Sequence, residues 1–265
     1  MLFRYCCHAI LLSLGVSLVL ETPYAAAQSP SPAPTTSTLS DDRAVCIRQL
    51  PGNIIEDQKR IWTFPFKAKA VNPWWPPVIV LGASASFVAS DPYTAPHFLN
   101  TTNFHGYNQA FSSTNSAAMI VAVPAAIYGI GWLHKDSYAK NTALLASEAA
   151  ADVYLLDLAM KPISARRQPL SYSGNGPYSD SFFNGSRSPF HSGGFYSGHA
   201  ALSMAVAPVV AHRYRNHRWV PIAAYTLAGA ISFSRVTTNN HFAADAFVGA
   251  AMGFVIAHYV VLPAR

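Results

Sequence analysis

The sequence has little cysteine. Of its three cysteines, Cys6 and Cys7 lie within an N-terminal stretch that has the features of a secretion signal, which leaves Cys46 as the single thiol of the exported chain. One thiol cannot form an internal disulfide, and it cannot supply the two or more ligands of a cysteine-based metal site. An internal disulfide and a cysteine-based metal site are therefore both excluded for the exported chain.

Charged residues are also scarce. They make up 11% of the chain, against about 25% in a typical soluble domain, while 51% of the residues are hydrophobic. The chain is therefore either membrane-embedded or unusually apolar on its helix faces. Its net charge of +6 favours anionic phospholipid surfaces or phosphorylated substrates. It lacks the clusters of Lys and Arg interleaved with aromatics that follow a nucleic-acid backbone, so we expect no nucleic-acid partner.

Residues 1–27 have the pattern of a signal peptide. Arg4 precedes an apolar run over residues 9–20, and three alanines at 25–27 offer a small-residue cleavage site. An uncleaved anchor helix is the alternative, although the run is short for a membrane span. We expect the protein to be exported across the cytoplasmic membrane, and to be either periplasmic or membrane-embedded with its active site facing the periplasm.

Three further segments follow the signal. Residues 28–40 are rich in Ser, Pro and Thr, which predicts a disordered linker. Residues 41–74 combine charges with aromatics and are interpreted as an N-terminal amphipathic arm that lies along a membrane surface or packs on the core. Residues 75–265 are expected to form the functional domain, and the sequence gives no indication of the oligomeric state.

The domain is predicted to be all-α, a bundle of about six apolar core helices. Its apolar stretches are rich in Ala and Leu and are separated by Pro, Gly and Asn, with no sustained alternation of the kind found in strands. The predicted helices cover residues 75–90, 115–134, 138–160, 197–214, 217–233 and 242–262.

Whether these helices span a membrane stays open at this stage. Ser116 to Leu133 is uncharged over 18 residues, and the last stretch is apolar apart from Asp245, so both are long enough to span. By contrast, Glu148, Asp152 and Asp157 form an acidic stripe that predicts a water-facing helix. A membrane-embedded bundle and a secreted helical globule both remain as hypotheses.

Two isolated charges stand out near the C-terminus. Between Trp219 and Ala264 the only formally charged residues are Arg235 and Asp245. An unpaired buried charge costs several kcal/mol, so an apolar segment that keeps two charges is expected to use them, as a structural ion pair or in a site. Asp245 follows His241 by four residues, which places both on one helical face at the start of the last helix.

This spacing suits a histidine nucleophile. A carboxylate behind His241 fixes the tautomer of the imidazole and stabilises its charged form. Arg235 would meet His241 across the loop of residues 236–240, and a guanidinium binds phosphate through paired hydrogen bonds.

The triplet Ser197-Gly198-His199 opens another predicted helix. Backbone N–H groups at a helix N-terminus attract an anion, glycine permits close approach, and the Ser197 hydroxyl adds a donor. A protonated His199 would then give its proton to a departing alkoxide. Taken alone, the triplet is more often a helix cap than a site, and its position before the motif at residues 234–245 is what favours a site.

A third group of cations precedes this triplet. Lys161, Arg166 and Arg167 follow an apolar helix within seven residues. A solvated helix end is the simple interpretation, but together with the two histidine motifs the group predicts a clamp for phosphate.

The three motifs, in this order, resemble those of the type 2 phosphatidic acid phosphatase (PAP2) superfamily, which includes bacterial nonspecific acid phosphatases and vanadium haloperoxidases. Its third signature, Ser-Arg, five residues, His, three residues, Asp, is matched by Ser234, Arg235, His241 and Asp245. The second, Pro-Ser-Gly-His, is matched except that Tyr196 replaces Pro. In the first, Lys161 and Pro169 are in register, but Gln168 stands where Arg is expected. The resemblance covers roughly residues 115–262.

The resemblance implies a helical bundle with a phosphatase site at one end that needs no metal ion or cofactor. By analogy, His241 would attack phosphorus to form a phosphohistidine, His199 would protonate the leaving group, and Asp245 would support His241. The expected substrate is a phosphorylated lipid or a small phosphoester, held by a larger set of residues. That predicted binding set is Lys161, Arg166, Arg167, Gln168, Ser197, Gly198 and Arg235. The alternatives are vanadate-dependent halide oxidation and a catalytically weakened, anion-binding membrane protein.

Overall fold

The fold is built from α-helices, as the sequence predicts. The computed structural model describes residues 43–67, 75–172, 178–191 and 193–263, and within these ranges it contains eight α-helices and no strand. The predicted signal peptide and the linker at residues 28–40 lie outside the described residues, as do parts of the predicted arm.

Every predicted core stretch corresponds to a helix, and two further helices flank the first of them. The helices are α1 (Leu50–Lys67), α2 (Trp75–Leu99), α3 (His105–Ala110), α4 (Ser113–Leu133), α5 (Ser137–Ser164), α6 (Gly198–Arg213), α7 (Trp219–Thr237) and α8 (Ala243–Ile256). A π-helical turn, Ala257–Val261, extends α8. The largest difference is in α2, which was predicted to end at residue 90 but continues through Pro92 and Pro96, with Asp91 and Ala95 buried in the bundle.

Helix α6 lies at the centre of the bundle. It packs against α4, α5, α7 and α8, and Ala200, Ala201 and Ala205 are fully buried. Glycines on α8 allow the closest of these contacts, since a Cβ at Gly249 or Gly253 would overlap with backbone oxygens of the α6 segment. The N-terminal ends of α6 and α8, which carry the two histidine motifs, are therefore held side by side.

The acidic stripe on α5 is buried, so the prediction that it faces water is wrong. Glu148 and Asp152 are 0% exposed and Asp157 is 2% exposed. Segments distant in the sequence cover them: Arg43 contacts Glu148 at 2.6 Å, and Gln58 of α1 donates to Asp152 at 3.0 Å. The pattern along α5 alone does not show these partners.

Large apolar side chains are exposed on the outer helices. On α4 they include Val121 and Leu133, and on α7 Trp219 and Ile222, each at least 66% exposed. In the part of the chain that the structure describes, two helical segments, Ser113–Leu133 and Ala243–Val261, are long and apolar enough to cross a membrane, although the second is 44% buried within the bundle.

Candidate active site

His241 lies in the loop that joins α7 to α8. Its backbone N–H donates to the carbonyl of Arg235 at 3.1 Å, and its side chain is nearly buried, with the residue 6% exposed. The Nδ1 atom is 3.5 Å from Oδ2 of Asp245. His241 thus precedes the last helix instead of starting it, but the spacing of four residues still brings the two side chains together. Nδ1 is thus the ring nitrogen nearer the carboxylate, although it makes no hydrogen bond to the described residues, and Nε2 is the ring nitrogen left to react.

Asp245 is fixed by contacts on both of its oxygens. Its Oδ2 accepts from the N–H of Phe242 at 2.9 Å, which caps α8, and its Oδ1 lies 2.5 Å from Nη1 of Arg166. Its backbone carbonyl accepts from the N–H of Ser197 at 3.0 Å. Through this last bond, Asp245 joins the start of α8 directly to the start of α6.

Arg166 forms a buried bridge between two carboxylates. Besides Asp245, its guanidinium contacts Asp91 of α2 at 2.7 Å and donates from Nε to the Ser181 hydroxyl at 3.0 Å. The rings of Phe182 and Phe242 each lie 4.3 Å from the guanidinium carbon. The side chain is 1% exposed. The geometry gives no support to the prediction that Arg166 binds substrate, because its guanidinium donates to Ser181, Asp245 and Asp91.

Arg167 points in another direction. Its guanidinium stacks over the ring of Tyr172 at 4.3 Å and donates to the carbonyl of Ser171 at 3.1 Å. The left-handed conformation of Ala165, with φ of 38°, ends α5 just before the two arginines. Arg167 is thus away from the histidines, and the structure gives no support for its predicted place in the clamp.

Gln168 packs against the glycines that lead to α6. Gly193 and Gly194 have φ values of 112° and 92°, and a Cβ on Gly193 would clash with the side chain of Gln168, while one on Gly194 would crowd Lys161. Both the backbone conformation and the close approach therefore require glycine. This turn places Lys161 and Gln168 next to the segment that ends at Ser197.

Arg235 is a buried cation held by neutral groups. It is 1% exposed, and its guanidinium donates to the hydroxyls of Ser113 at 2.9 Å and Ser234 at 2.8 Å, and to the carbonyl of Phe111. Among the residues that the structure describes, no carboxylate lies within salt-bridge distance of it. Its positive charge is therefore left for an anion to neutralise.

Ser113 links Arg235 to the second histidine. The carbonyl of Ser113 lies 3.1 Å from Nε2 of His199, and its hydroxyl accepts from Arg235. Burial, together with the charges of Arg235, His241 and Lys161, lowers the pKa of His199 to about 4, although the hydrogen bond to Ser113 acts in the opposite direction. Arg235, His241 and Lys161 are therefore close enough to His199 for their charges to act on it.

The remaining predicted residues border the same region. Lys161 is 2.8 Å from Asp157, with 18% of its side chain exposed, and a Cβ at Gly198 would clash with the Asp157 carboxylate. The hydroxyl of Ser197 is buried and makes no hydrogen bond within the described part of the chain. The structure thus brings together His199, His241, Asp245, Lys161, Ser197, Gly198 and Arg235.

Sequence reasoning missed Asp91 and Ser113. Asp91 is the only Asp, Glu, Lys or Arg between Trp75 and Leu99, so it is isolated in an apolar stretch in the same way as Arg235 and Asp245. That criterion, applied to the first apolar stretch, would have identified Asp91. Ser113 carries no comparable signal in the sequence, because its role comes from where α4 begins.

Comparisons with known proteins concern the part of the chain that carries these residues. Residues 140–263 match the family model described as PAP2 superfamily. The chain is also 36% identical, over 61 residues, to a lipid A 1-phosphatase from Porphyromonas gingivalis, a match that covers 23% of this chain and 14% of the relative. The chain therefore matches only a small part of that relative's length. No solved structure matches the chain.

Proposed function

We propose that the protein is a phosphatase that hydrolyses phosphate monoesters, with a phosphorylated lipid as its substrate. Its residues 140–263, which carry all three motifs, match the family model described as PAP2 superfamily. The observation that carries the proposal is that His241 lies next to Asp245 and donates its backbone N–H to the carbonyl of Arg235, while the buried guanidinium of Arg235 is bound only by neutral groups among the described residues. A nucleophile lies beside an uncompensated cation, which is the requirement for phosphoryl transfer.

In the first step, Nε2 of His241 attacks phosphorus, and the bond to the ester oxygen breaks. Asp245 stabilises the positive charge that develops on the ring. Arg235, Lys161 and the N–H groups at the start of α6 bind the phosphoryl oxygens. His199 gives its proton to the departing alkoxide, which leaves as an alcohol, and the phosphoryl group remains on His241.

In the second step, water replaces the alcohol. Neutral His199 accepts a proton from the water as its oxygen attacks phosphorus, and the bond between phosphorus and His241 breaks. Inorganic phosphate is released and both histidines return to their starting states. A low pKa for His199 suits this step, since the ring must be neutral to act as a base.

A lipid substrate is supported by the apolar surroundings. A cavity of about 500 Å³ lies between α4, α6 and α7, and it is lined by apolar residues that include Met119, Leu227 and Ile231. Met119 is six residues beyond Ser113 on α4, or about 9 Å of helical rise from the candidate site. The relative from Porphyromonas gingivalis is named as a lipid A phosphatase. One lipid molecule can therefore place its phosphate at the candidate site and its acyl chain in the cavity along α4.

Trapping the phosphorylated protein tests the mechanism. The protein is incubated briefly with substrate labelled in its phosphate and quenched with alkali, and acid-labile label on the protein is counted. We expect label on wild type and on His134→Ala, since His134 is an exposed residue after the end of α4, and none on His241→Ala. Undiminished turnover by His241→Ala would refute the mechanism.

The same preparation tests the substrate class and the main alternative. Phosphatidic acid in mixed micelles should be hydrolysed with a higher kcat/KM than a water-soluble aryl phosphate, and equal values would argue against a lipid substrate. Vanadate should inhibit hydrolysis. Peroxide-dependent bromination in its presence would instead favour halide oxidation.

A further inference from the structure

The connection between α5 and α6, residues 165–197, carries large apolar side chains on its surface. Leu170, Phe183 and Phe190 are 60%, 67% and 80% exposed, and Ile163, in the last turn of α5, is 57% exposed. Single exposed apolar residues are ordinary on a protein surface, whereas a group of them at one place marks an interaction site. Together these four side chains form an apolar rim.

Backbone hydrogen bonds attach the apolar rim to the end of the bundle that carries the candidate active site. The N–H of Phe183 donates to the carbonyl of Ser164, the last residue of α5, at 2.9 Å. The N–H of Leu170 donates at 3.0 Å to the carbonyl of Asn239, which is two residues before His241 in the sequence. The rim therefore borders the site.

The backbone of Phe183 is unusual for a large side chain. Its φ of 64° lies in the left-handed region, which glycine and asparagine adopt more readily than bulky residues do. Its ring lies 6.3 Å from the ring of Phe182, yet the residue is 67% exposed. Packing within the described part of the chain thus covers only a small part of its surface. A contact with something outside the chain would account for a phenylalanine in this turn.

Two arginines accompany the rim. Arg187 is exposed and lies three residues before Phe190, which in turn precedes the turn at Gly193 that leads to α6. Arg167 is half-buried at the start of the connection, and Asp180 is the only acidic residue in it. At an anionic lipid surface, aromatic and aliphatic side chains enter below the headgroups while arginines contact the phosphates. The composition of the connection matches such a surface.

We propose that the apolar rim, together with Arg167 and Arg187, lies in the headgroup layer of an anionic phospholipid membrane and presents the candidate active site to phosphates there. The inference rests on the proposed function, because a phosphatase that acts on lipids has to bring its site to that layer. Exposed apolar residues at the other end of α4 do not meet this requirement, since Leu133 is about 30 Å of helical rise from Ser113. From the rim, α4 extends inwards, in the direction that the proposed acyl path along α4 requires.

Phe183→Asn is a suitable test, because asparagine removes the ring and tolerates the left-handed backbone. Leu133→Asn is the matched control, since Leu133 is 70% exposed at the other end of α4. Both variants and wild type are assayed on phosphatidic acid in mixed micelles and on a water-soluble aryl phosphate. We expect Phe183→Asn to lower kcat/KM on phosphatidic acid about tenfold or more and to leave kcat/KM on the aryl phosphate within about twofold of wild type. Leu133→Asn should change neither.

A fluorescent label tests the membrane contact without turnover. Phe190→Cys is made in a Cys46→Ser chain, in which no other thiol remains once the predicted signal peptide is removed, and is labelled with an environment-sensitive fluorophore. Lipids brominated on their acyl chains should quench the label in nanodiscs that contain phosphatidylglycerol, and less in phosphatidylcholine alone. Arg187→Gln should raise the phosphatidylglycerol content needed for half-maximal quenching about fivefold. His241→Ala should leave the quenching unchanged.

Three results would overturn the proposal. One is a label that is not quenched in phosphatidylglycerol nanodiscs, even if both substrates are hydrolysed. The second is a loss of kcat/KM on phosphatidic acid that is as large in Leu133→Asn as in Phe183→Asn, which would indicate a general effect of apolar surface. The third is a label that is shielded without lipid in a self-associated protein, which would place a second copy of the chain on the rim. Quenching that persists while neither substrate is hydrolysed would support the membrane contact and count against the proposed function.

Discussion

Nη1 of Arg166 lies 2.5 Å from Oδ1 of Asp245, whereas His241 lies beside the other carboxylate oxygen, Oδ2. The same guanidinium contacts Asp91 at 2.7 Å, so a chain of contacts runs from α2 through Arg166 and Asp245 to His241. The contacts of Arg166 are with protein groups. In the proposed mechanism, Asp91 and Arg166 are therefore positioning residues, which fix the carboxylate that orients the nucleophile.

Replacing Arg166 should therefore reduce kcat much more than replacing its neighbour. Arg166→Lys removes at least one of the two carboxylate contacts and leaves Asp245 free to turn from His241, so we expect kcat to fall about 100-fold with little change in KM. Arg167→Lys keeps a cation on the Tyr172 surface and should stay within about twofold of wild type. Steady-state kinetics on both variants provide the comparison.

A variant could lose kcat because it is less stable or because Asp245 is misplaced, so stability has to be measured alongside kinetics. A buried carboxylate that loses its partner destabilises a protein by about 3–5 kcal/mol, so Tm and circular dichroism are recorded for each variant. Asp91→Asn is the milder change, because it keeps Arg166 on Asp245, and it should lower kcat less than Arg166→Lys does. A larger effect of Arg167→Lys than of Arg166→Lys would contradict the assignment.

Gln168 stands where the first PAP2 signature has Arg, so substitutions that change the charge of residue 168 should change the affinity for anions. Gln168 packs against Gly193 beside the segment that carries Lys161 and Ser197. A charge-assisted hydrogen bond contributes about 1.5–3 kcal/mol, so Gln168→Arg should lower the inhibition constant of inorganic phosphate about tenfold or more. Gln168→Glu places the opposite charge there and should raise it. Equal inhibition constants in the two variants would show that residue 168 does not contribute to anion binding.

The sequence predicted the helices well because each is a long apolar stretch that ends at polar or helix-breaking residues. It also predicted the pairing of His241 with Asp245, because that contact depends on a spacing of four residues. The roles of Arg166 and Arg167 did not follow from spacing, since they depend on the turn at Ala165 and on Asp91, 75 residues away in the chain. The burial of Glu148 likewise depends on Arg43, 105 residues earlier.

Proton uptake should accompany anion binding. The pKa of His199 is lowered to about 4 in the free protein, mainly by burial and then by Arg235. A bound phosphate adds negative charge and raises this pKa, so binding takes up a proton at pH values between the two pKa values. Phosphate affinity should therefore be greatest at low pH and should decrease as the pH rises through the pKa of the complex.

Calorimetry at pH 6 in two buffers of different ionisation enthalpy measures this uptake. On binding phosphate, wild type should take up a fraction of a proton more than His199→Asn does. The ionisation of phosphate itself contributes equally in the two proteins, so the difference comes from His199. Equal uptake by both proteins would rule out His199 as the group concerned. The lowered pKa of His199 also affects the stability of the protein without ligand. As the pH falls, residue 199 is protonated in the unfolded chain before it is protonated in the folded protein. The free energy of unfolding should therefore decrease as the pH falls from about 6.5 to about 4.

The contact between α6 and α8 predicts that replacing glycine by alanine has opposite effects on stability at Gly253 and at Gly229. A Cβ at Gly253 would overlap with the carbonyl of Ala201 on α6, whereas one at Gly229 of α7 meets no atom within 4 Å. Gly253→Ala must push α8 away from α6, which separates the helix ends that carry His199 and His241. We expect Tm to fall and kcat to drop at least tenfold, because catalysis depends on that separation more steeply than folding does.

Gly229→Ala is the matched control for this change. It adds the same methyl group to a helix where there is room, and it reduces the conformational freedom of the unfolded chain, so it should increase the free energy of unfolding by about 0.5–1 kcal/mol. Its kcat should equal that of wild type. If Gly253→Ala lost stability but kept full kcat, the spacing of the two helices would not set the geometry of the site, and His199 and His241 would have to be held by their loops alone.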